Sequence, residues 1–270
     1  MFKFLLILYF VLTDIAIALE LEGELIEGGL IRGLVESGSK VKLNDKKVSV
    51  ADDGGFIIGF HRDTEDTMEL VVISSEQVTE SYALKIKNRD YLIQKIDGLP
   101  SKMVTPPDSV LNRIKKEALR VKNARARKVK TPYHRKGFIW PAEGTITGIY
   151  GSQRILNGEY RRPHFGVDIA GPVGTPVYAA CDGTILFTDK NLYFSGGTII
   201  IGHGQELTST YIHLNEILVN EDDFVKQGQL VATMGKTGRV TGPHLDWRME
   251  WKGSRIGPQL LVQGVPKLLK

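Results

Sequence analysis

The stretch His244-Leu245-Asp246-Trp247 contains a histidine and an aspartate close together. The same two residue types occur about 80 positions earlier in the chain, in His164-Phe165-Gly166-Val167-Asp168. A third histidine, His213, lies between them. The surrounding sequence is rich in Gly, Val, Ile and Thr, which favour strands and turns over helices. Because residues i and i+2 of a strand point to the same face, His244 and Asp246 should project together. Such donors are typical of an open zinc site, which uses three protein ligands and leaves one position for water.

Short motifs extend this pattern over the C-terminal half of the chain, from about Gly144 to Trp251. In chain order they are His164…Asp168-Ile169-Ala170, Gly174-Thr175-Pro176-Val177, Ala180-Cys181-Asp182-Gly183, Gly202-His203-Gly204, Tyr211-Ile212-His213-Leu214, Val225-Lys226-Gln227-Gly228-Gln229 and Gly238-Arg239-Val240-Thr241-Gly242-Pro243-His244-Leu245. Each motif alone is a weak signal, but their order and spacing together are specific. Over about residues 138–255 the chain resembles the lysostaphin/LytM-type zinc endopeptidases of bacterial cell walls.

The resemblance implies a ligand set and a pair of catalytic residues. By position, His164 and Asp168 match two zinc ligands of the family, while His213 and His244 match its two catalytic histidines, which do not bind the metal. The family pattern ends in His-x-His, with the second histidine on zinc, and here that position is Asp246. The implied cofactor is therefore Zn²⁺, with the three ligands His164, Asp168 and Asp246.

The aspartate at the third ligand position leaves two interpretations open. Aspartate is an accepted zinc ligand, but two carboxylates formally neutralise Zn²⁺ and make it a weaker Lewis acid. The domain is then either an enzyme, with a reduced rate or another preferred metal, or a degenerate module that keeps the groove and only binds. Inactive relatives of the second kind activate wall amidases. The enzyme is favoured because His164, Asp168, His213 and His244 are all present.

The chain begins Met1-Phe2-Lys3, followed by an apolar run that ends in Ala16-Ile17-Ala18. This run is short for a bilayer span and predicts a secretory signal peptide over residues 1–18, with an uncleaved N-terminal anchor as the alternative.

Cys181 is the single cysteine, which excludes an intramolecular disulfide, and its neighbours favour a buried core thiol. The expected location is across the inner membrane, in the periplasm or cell envelope of a bacterium.

Residues 19–100 predict a small β-sandwich-like domain. Short segments with strand composition recur at near-regular spacing, and a tight turn is expected at Asn44-Asp45. The segments are Val41–Leu43, Val48–Val50, Phe56–Phe60, Met68–Ile73, Tyr82–Ile86 and Tyr91–Ile96.

Residues 101–137 predict a basic helical linker. Asp108 or Ser109 can cap a helix there, and the apolar spacing fades near Ala126. Residues 113–136 carry eleven Lys and Arg against one Glu, a net charge of +10 in a chain whose net charge is +4. Such a run is either a solvated helix face or a surface that attracts an anionic partner. Export argues against nucleic acid, so an anionic envelope surface, of wall polymer or phospholipid headgroups, is the expected partner.

Residues 138–256 predict the metallopeptidase domain, and residues 257–270 a short C-terminal tail. Glycine-rich turns separate candidate strands, among them Val177–Phe187, Leu207–His213 and Leu245–Trp251. The resemblance implies a largely antiparallel sheet around a narrow groove with zinc on its floor. The chain is thus expected to be all-β apart from the linker helix.

Five residues near these motifs have milder interpretations. Arg154 and Arg239 could each reach a substrate carboxylate or simply be exposed, and Tyr211 could line the groove or pack in the core. His203 ends an apolar segment and is expected to be structural, whereas His134 in the basic linker is expected to be solvated.

The sequence therefore predicts an exported zinc metalloendopeptidase that hydrolyses the peptide cross-links of bacterial peptidoglycan. The alternative is a catalytically inactive LytM-type envelope module that binds cell wall or activates a wall amidase. The two differ in metal content, because the enzyme requires about one equivalent of tightly held zinc.

Overall fold

The computed structural model describes residues 19–264 and residue 266, and within them the chain is nearly all β. This confirms the predicted all-β class. The predicted signal peptide, residues 1–18, lies outside the described residues, as does most of the chain after Gly264. Of the helices in the described part, none is long and apolar enough to cross a membrane.

The N-terminal half of the described chain forms two antiparallel sheets. Its strands are β1 (Leu19–Glu22), β2 (Leu30–Val35), β3 (Lys40–Leu43), β4 (Lys46–Val48), β5 (Gly55–Gly59), β6 (Thr67–Ile73) and β7 (Thr79–Lys85). The strand orders are β1-β2-β5 in one sheet and β4-β3-β6-β7 in the other. Ile31 and Ile58 from the first sheet belong to the same buried core as Val41 and Leu70 from the second. This arrangement agrees with a β-sandwich-like N-terminal domain.

The predicted turn at Asn44-Asp45 is present and closes the hairpin between β3 and β4. Leu43 pairs with Lys46, and the φ angles of Asn44 and Asp45 are 43° and 61°. Positive φ at both central residues is the geometry of a type I′ turn, whose twist matches that of the flanking strands. Asn and Asp tolerate this region better than most residues, so the local sequence was sufficient to predict the turn.

The C-terminal half is built on a ten-stranded sheet. Its strands are β9 (Thr145–Gly148), β12 (Val167–Ala170), β13 (Pro176–Tyr178), β14 (Gly183–Leu192), β15 (Gly196–Gly202), β16 (Leu207–Ile217), β17 (Phe224–Val225), β18 (Leu230–Met234), β19 (His244–Trp251) and β20 (Ser254–Ile256). The main strand order is β17-β14-β15-β16-β19-β12-β9. Strands β13, β18 and β20 pair with this sheet outside that path, and every pairing in it is antiparallel. Buried apolar residues of this sheet and of the N-terminal half belong to one continuous core.

The prediction of one strand over Val177–Phe187 is wrong, because the chain turns between β13 and β14. Ala179 exchanges backbone hydrogen bonds with the loop at Gly228 and Gln229. Asp182 is fixed by Lys136, at 2.6 Å, and by the backbone N–H of Gln227, at 2.8 Å. These long-range contacts decide the break, and strand composition alone does not reveal it.

A short strand couples the two halves. β8 (Ile93–Ile96) was expected within the N-terminal domain, but it pairs in parallel with β10 (Gln153–Leu156), which also pairs with β11 (Glu159–Tyr160). Asn157 extends the contact, because its side chain donates to Leu99 O at 2.7 Å and accepts from Leu99 N at 3.2 Å. The segment that follows β8 is therefore held against the C-terminal half.

The linker contains α1 (Ser101–Val104) and α2 (Asp108–Arg125), and α2 ends beside Ala126 as predicted. The residue before α2 is Pro107, and no side chain caps the helix, so Asp108 contributes its charge to the first turn instead. Ala124 is buried against Leu186, Phe187 and Ile200 of the large sheet. Short 3₁₀ helices follow at Tyr133–Lys136 and Pro258–Leu260.

Many basic side chains of the linker are paired with carboxylates of the folded chain. Arg120 contacts Asp189 at 2.7 Å, Arg125 contacts Glu250 at 3.2 Å, and Arg127 and Arg135 contact Asp222 and Asp53. The linker is thus clamped to both halves, and much of its predicted charge is neutralised locally.

His134 is not solvated, contrary to the expectation. Its exposed fraction is 3%, and Nε2 lies 2.9 Å from Oε1 of Gln205. Gln205 in turn donates to the carbonyls of Ser49 and Gly55 in the N-terminal half. His134 is buried because this junction between the halves forms only in the folded chain.

Candidate metal centre and active-site cleft

The three predicted metal ligands meet on adjacent strands. Asp168 in β12 and Asp246 in β19 are direct partners in the antiparallel register, and His164 lies just before β12. One donor atom from each residue lies within 4.8 Å of the others, and all three residues are buried. Two carboxylates directly opposite each other repel, so this pair requires compensating positive charge.

The two predicted catalytic histidines complete the cluster. The rings of His213 and His244 are 4.8 Å apart between centroids, and His244 Nε2 lies 3.8 Å from Oδ1 of Asp168. Leu245, between His244 and Asp246, has an exposed fraction of 0% and belongs to the core. The strand alternation predicted for His244 and Asp246 is therefore present.

A β-bulge positions His213. The register between β15 and β16 shifts between Tyr211 and Leu214, and the φ angle of His213 is 66°. A left-handed backbone at a histidine is strained, and such strain occurs where the surrounding structure fixes a functional group. Because the bulge interrupts the alternation, His213 lines the cleft while Tyr211 stays in the core with an exposed fraction of 0%.

Hydrogen bonding defines the tautomers of these two histidines. His213 Nδ1 lies 2.8 Å from Thr237 O, and His244 Nδ1 lies 2.9 Å from Gly242 O. A carbonyl oxygen only accepts, so each Nδ1 carries a proton and each neutral ring has an unprotonated Nε2. Burial, assisted by the neighbouring His244, lowers the pKa of His213 to about 3, so this ring is neutral at physiological pH.

The ligand set fits a zinc ion. His164 Nε2 and Asp168 Oδ1 are buried and lie 3.1 Å apart. His164 Nδ1 is also buried, and no atom of the described residues forms a hydrogen bond with it. Buried polar atoms are rarely left unpaired, and imidazole nitrogen with carboxylate oxygen is a usual donor set for zinc. The residues present therefore match the metal that the resemblance implies.

Two arginines hold the ligand carboxylates. Arg248 binds both oxygens of Asp246, and Arg154 binds Oδ2 of Asp168. Burial alone would raise the pKa of Asp246, but the charge and hydrogen bonds of Arg248 outweigh it and keep that pKa below its usual range. Asp246 is therefore an anion, and a carboxylate oxygen has more than one lone pair, so it can still bind a metal.

Sequence reasoning missed Arg248 and two glycines at this site. Arg248 follows Asp246 by two positions on the same strand, so the period of two was a usable signal. A side chain at Gly148 would collide with the Asp168 carboxylate, and one at Gly166 with Oδ1 of Asp246. The need for glycine arises from neighbouring strands, which a linear motif does not display.

The cleft is a cavity of about 160 Å³ beside the metal centre. Asp168, His213 and His244 line one part of it, and Arg154 and Arg239 line another. Gln94, Ile96 and Leu99, from β8 and the segment after it, supply the remaining wall with Thr147, Leu156, Val240 and Thr241. The N-terminal half of the chain therefore contributes directly to the cleft.

His203 lies outside the site, as expected for a structural residue. Its exposed fraction is 0%, Nδ1 lies 2.8 Å from Asp182 O, and Nε2 lies 2.7 Å from Ser209 Oγ. Both nitrogens are satisfied within the core, so His203 has no free atom for a ligand.

Comparison with known proteins relates the site to an established family. Residues 162–258 match the model of Peptidase family M23. Over 109 residues the chain is 43% identical to the peptidoglycan DD-endopeptidase ShyA of Vibrio cholerae, covering 39% of this chain and 25% of that protein. Over 119 residues it is 34% identical to the murein hydrolase activator NlpD of Escherichia coli, covering 44% of this chain and 29% of that protein.

The fold extends beyond the matched family region. A crystal structure of an M23 peptidase from Pseudomonas aeruginosa superposes with a TM-score of 0.69 at 23% identity, covering 88% of this chain and 95% of that one. The similarity includes the N-terminal half and concerns the fold alone. Residues 162–258 therefore form a domain that matches Peptidase family M23, and this match together with the motif order supports the lysostaphin/LytM type.

Proposed function

We propose that this chain is an exported zinc metalloendopeptidase that hydrolyses peptide cross-links of bacterial peptidoglycan. The observation that carries the proposal is the convergence of buried donor atoms from His164, Asp168 and Asp246, within 4.8 Å of one another, beside two histidines with unprotonated Nε2 atoms. The relatives named as peptidoglycan endopeptidases support the substrate class, although the matched stretch spans about a quarter of ShyA.

His164, Asp168 and Asp246 would hold the metal. Zinc supplies a Lewis acid and makes a neighbouring water more acidic. The protein must then accept the proton of the attacking water and return one to the leaving amine. His244 is the better-placed base, because its Nε2 lies 3.8 Å from the ligand atom Oδ1 of Asp168. The low pKa of His213, about 3, keeps its ring neutral, so its unprotonated Nε2 can accept a hydrogen bond or a proton in the cleft.

The second candidate is a non-catalytic module that binds cell wall or activates a wall amidase. The pairing of both Asp246 oxygens with Arg248 favours it, since the two residues already form a satisfied ion pair. The similarity to NlpD, named as a murein hydrolase activator, points the same way.

Digestion of purified peptidoglycan separates the two candidates. The zinc-loaded full chain should release cross-link fragments that mass spectrometry identifies, and both a chelator and His244→Ala should abolish the release. A zinc-loaded chain that releases nothing, yet stimulates a purified wall amidase, would establish the activator instead.

Export to the periplasm or cell envelope is part of the proposal. A mature N-terminus near Leu19 would support cleavage of the predicted signal peptide. An intact Met1 in the membrane fraction would support the anchor.

The basic linker is also proposed to contact an anionic envelope surface. Its exposed lysines carry this role, because Arg125 and other linker arginines are already paired within the chain. The combined variant Lys115→Gln, Lys116→Gln and Lys128→Gln should weaken binding to vesicles of anionic phospholipid. The parent's binding should also fall as salt rises, because exposed charges are screened beyond about 8–10 Å near physiological ionic strength. Binding that is insensitive to salt and to these substitutions would contradict this role.

A further inference from the structure

A second cavity adjoins the active-site cleft and is lined by arginines. It measures about 680 Å³ and reaches His164, the first metal ligand. Its arginines are Arg154, Arg161, Arg162, Arg239, Arg248 and Arg255. No Asp or Glu is among the residues of the described chain that line it. Arg154 and Arg239 also line the cleft, so the arginine cavity and the cleft share a wall.

The charge of this arginine cavity is not balanced by the chain. Four of its arginines contact carboxylates that lie outside the cavity wall, in the pairs Arg154–Asp168, Arg161–Glu159, Arg248–Asp246 and Arg255–Glu250. Within residues 19–264, Arg162 and Arg239 have no carboxylate within 4.0 Å. Six cations against four carboxylates leave an excess of positive charge beside the reacting centre.

Arg239 is held in place despite this repulsion. Its guanidinium lies 4.7 Å from the ring centroid of Phe194, and Nη1 donates to Met103 O at 3.3 Å. Burial, together with the charges of Arg248 and Arg154, lowers the pKa of Arg239 to about 10, so the group remains a cation. A partly buried cation among like charges is costly unless an anion binds to it. Stacking and a single carbonyl contact leave most of its five donors available.

We propose that the arginine cavity binds a free carboxylate of the peptide substrate and that Arg239 is its principal receptor. The proposal rests on the proposed peptidase function. A planar guanidinium matches a carboxylate with two parallel hydrogen bonds, which gives orientation as well as charge. Because Arg239 lines both cavities, a single peptide can place a carboxylate at Arg239 and its scissile amide in the cleft. The apolar residues Val104, Leu156 and Phe165 complete a wall suited to an aliphatic peptide stem.

The test compares two synthetic wall peptides that differ in one respect. One carries free carboxylates on the residues that flank the scissile amide, and the other carries primary amides at the same positions. Calorimetric titration uses the zinc-loaded full chain with His244→Ala, so that no turnover occurs. We expect about tenfold tighter binding of the carboxylate peptide, in line with a charge-assisted hydrogen bond. Arg239→Gln should remove that preference, so that the variant binds the two peptides with equal Kd.

Two further variants make the result specific. Arg162→Gln changes an exposed arginine of the same cavity and should reduce the preference without a risk to folding. Lys190→Gln removes the same charge from an exposed site in β14 outside the cavity and should have no effect. Equal affinity of the parent for both peptides would overturn the proposal, as would an equal effect of Lys190→Gln. A single-stranded oligonucleotide that binds more tightly than the carboxylate peptide, through Arg239, would also overturn it.

Failure of this inference differs from failure of the proposed function. Hydrolysis of both peptides at equal kcat/KM would support the proposed peptidase activity and contradict the carboxylate-binding site. A preference for the carboxylate peptide in a zinc-loaded chain that hydrolyses neither peptide would support the binding site and contradict the peptidase activity.

Discussion

Arg248 donates two hydrogen bonds to the carboxylate of Asp246, from Nε to Oδ1 at 2.9 Å and from Nη2 to Oδ2 at 2.6 Å. The pair is neutral overall, like the histidine that the family has at this ligand position. With a metal bound, the weaker Lewis acidity expected from two aspartate ligands would be offset by this cation in direct contact with the second one. Arg154 also pairs with a predicted ligand, through one hydrogen bond from Nη2 to Oδ2 of Asp168.

The first prediction concerns this compensation. Arg248→Gln should lower kcat/KM on peptidoglycan by about tenfold or more, because partners that orient and charge a metal ligand typically contribute that much. In an Asp246→His background the same substitution should cost less than about threefold, since a neutral ligand needs no compensating cation. Hydrolysis rates with zinc content for all four proteins check this. An equal loss in both backgrounds would mean that Arg248 acts on the substrate instead of through Asp246.

The second prediction separates ligands from catalytic histidines. His164→Ala, Asp168→Ala and Asp246→Ala should each lose tightly bound zinc, because two protein ligands rarely hold the metal. His213→Ala and His244→Ala should retain zinc but lose turnover. Metal analysis after dialysis, alongside a wall-digestion assay, measures both properties. If the histidine variants lose zinc as fully as His164→Ala, the assigned roles are wrong.

The third prediction concerns Cys181, which is buried with an exposed fraction of 0%. Burial, with a contribution from Asp182, raises the pKa of its thiol to about 12. Since the thiolate is the reactive form, iodoacetamide at pH 8 should modify the folded chain at least tenfold more slowly than the chain in urea. Equal rates in the two conditions would show that the thiol is accessible and ionisable.

The fourth prediction concerns stability at low pH. Burial lowers the pKa of both His134 and His203 from 6.5 to about 4. Between pH 6.5 and 4 the unfolded chain therefore binds more protons than the folded one. The stabilisation is complete above pH 6.5 and is lost as the pH falls towards 4, by about 1.4 kcal/mol per pH unit for each histidine. The free energy of unfolding, measured by urea denaturation at several pH values in this range, should change less steeply with pH in His134→Gln than in the parent. An unchanged dependence on pH would refute the assignment.

The fifth prediction distinguishes paired from solvated charges in the linker. Arg125 contacts Glu250 at 3.2 Å and Thr210 Oγ1 at 3.2 Å, with a side-chain exposure of 15%. Arg125→Gln should reduce the free energy of unfolding by about 2 kcal/mol, because it leaves a largely buried carboxylate without this partner. Lys128→Gln, at an exposed position in the same segment, should change it by less than about 0.5 kcal/mol. Equal effects in urea denaturation would contradict the clamp.

Local sequence determined the features that depend on neighbouring residues. The Asn44-Asp45 turn, the helix over Asp108–Arg125 and the shared face of His244 and Asp246 follow from backbone preference and strand period. The resemblance to a family added the ligand set, because motif order carries information that no single strand contains.

Tertiary structure decided the features that depend on residues distant in the chain. The register that places Asp168 against Asp246, the bulge that positions His213 and the pairing of β8 with β10 arise from contacts between strands. Burial of His134 and neutralisation of Arg125 likewise need partners from other segments. The arginine cavity is the clearest case, since Arg239 is far in sequence from Arg154 and Arg162 yet lines the same cavity. A sequence lists charges but does not show which are adjacent, and electrostatic energy depends on distance in the folded chain.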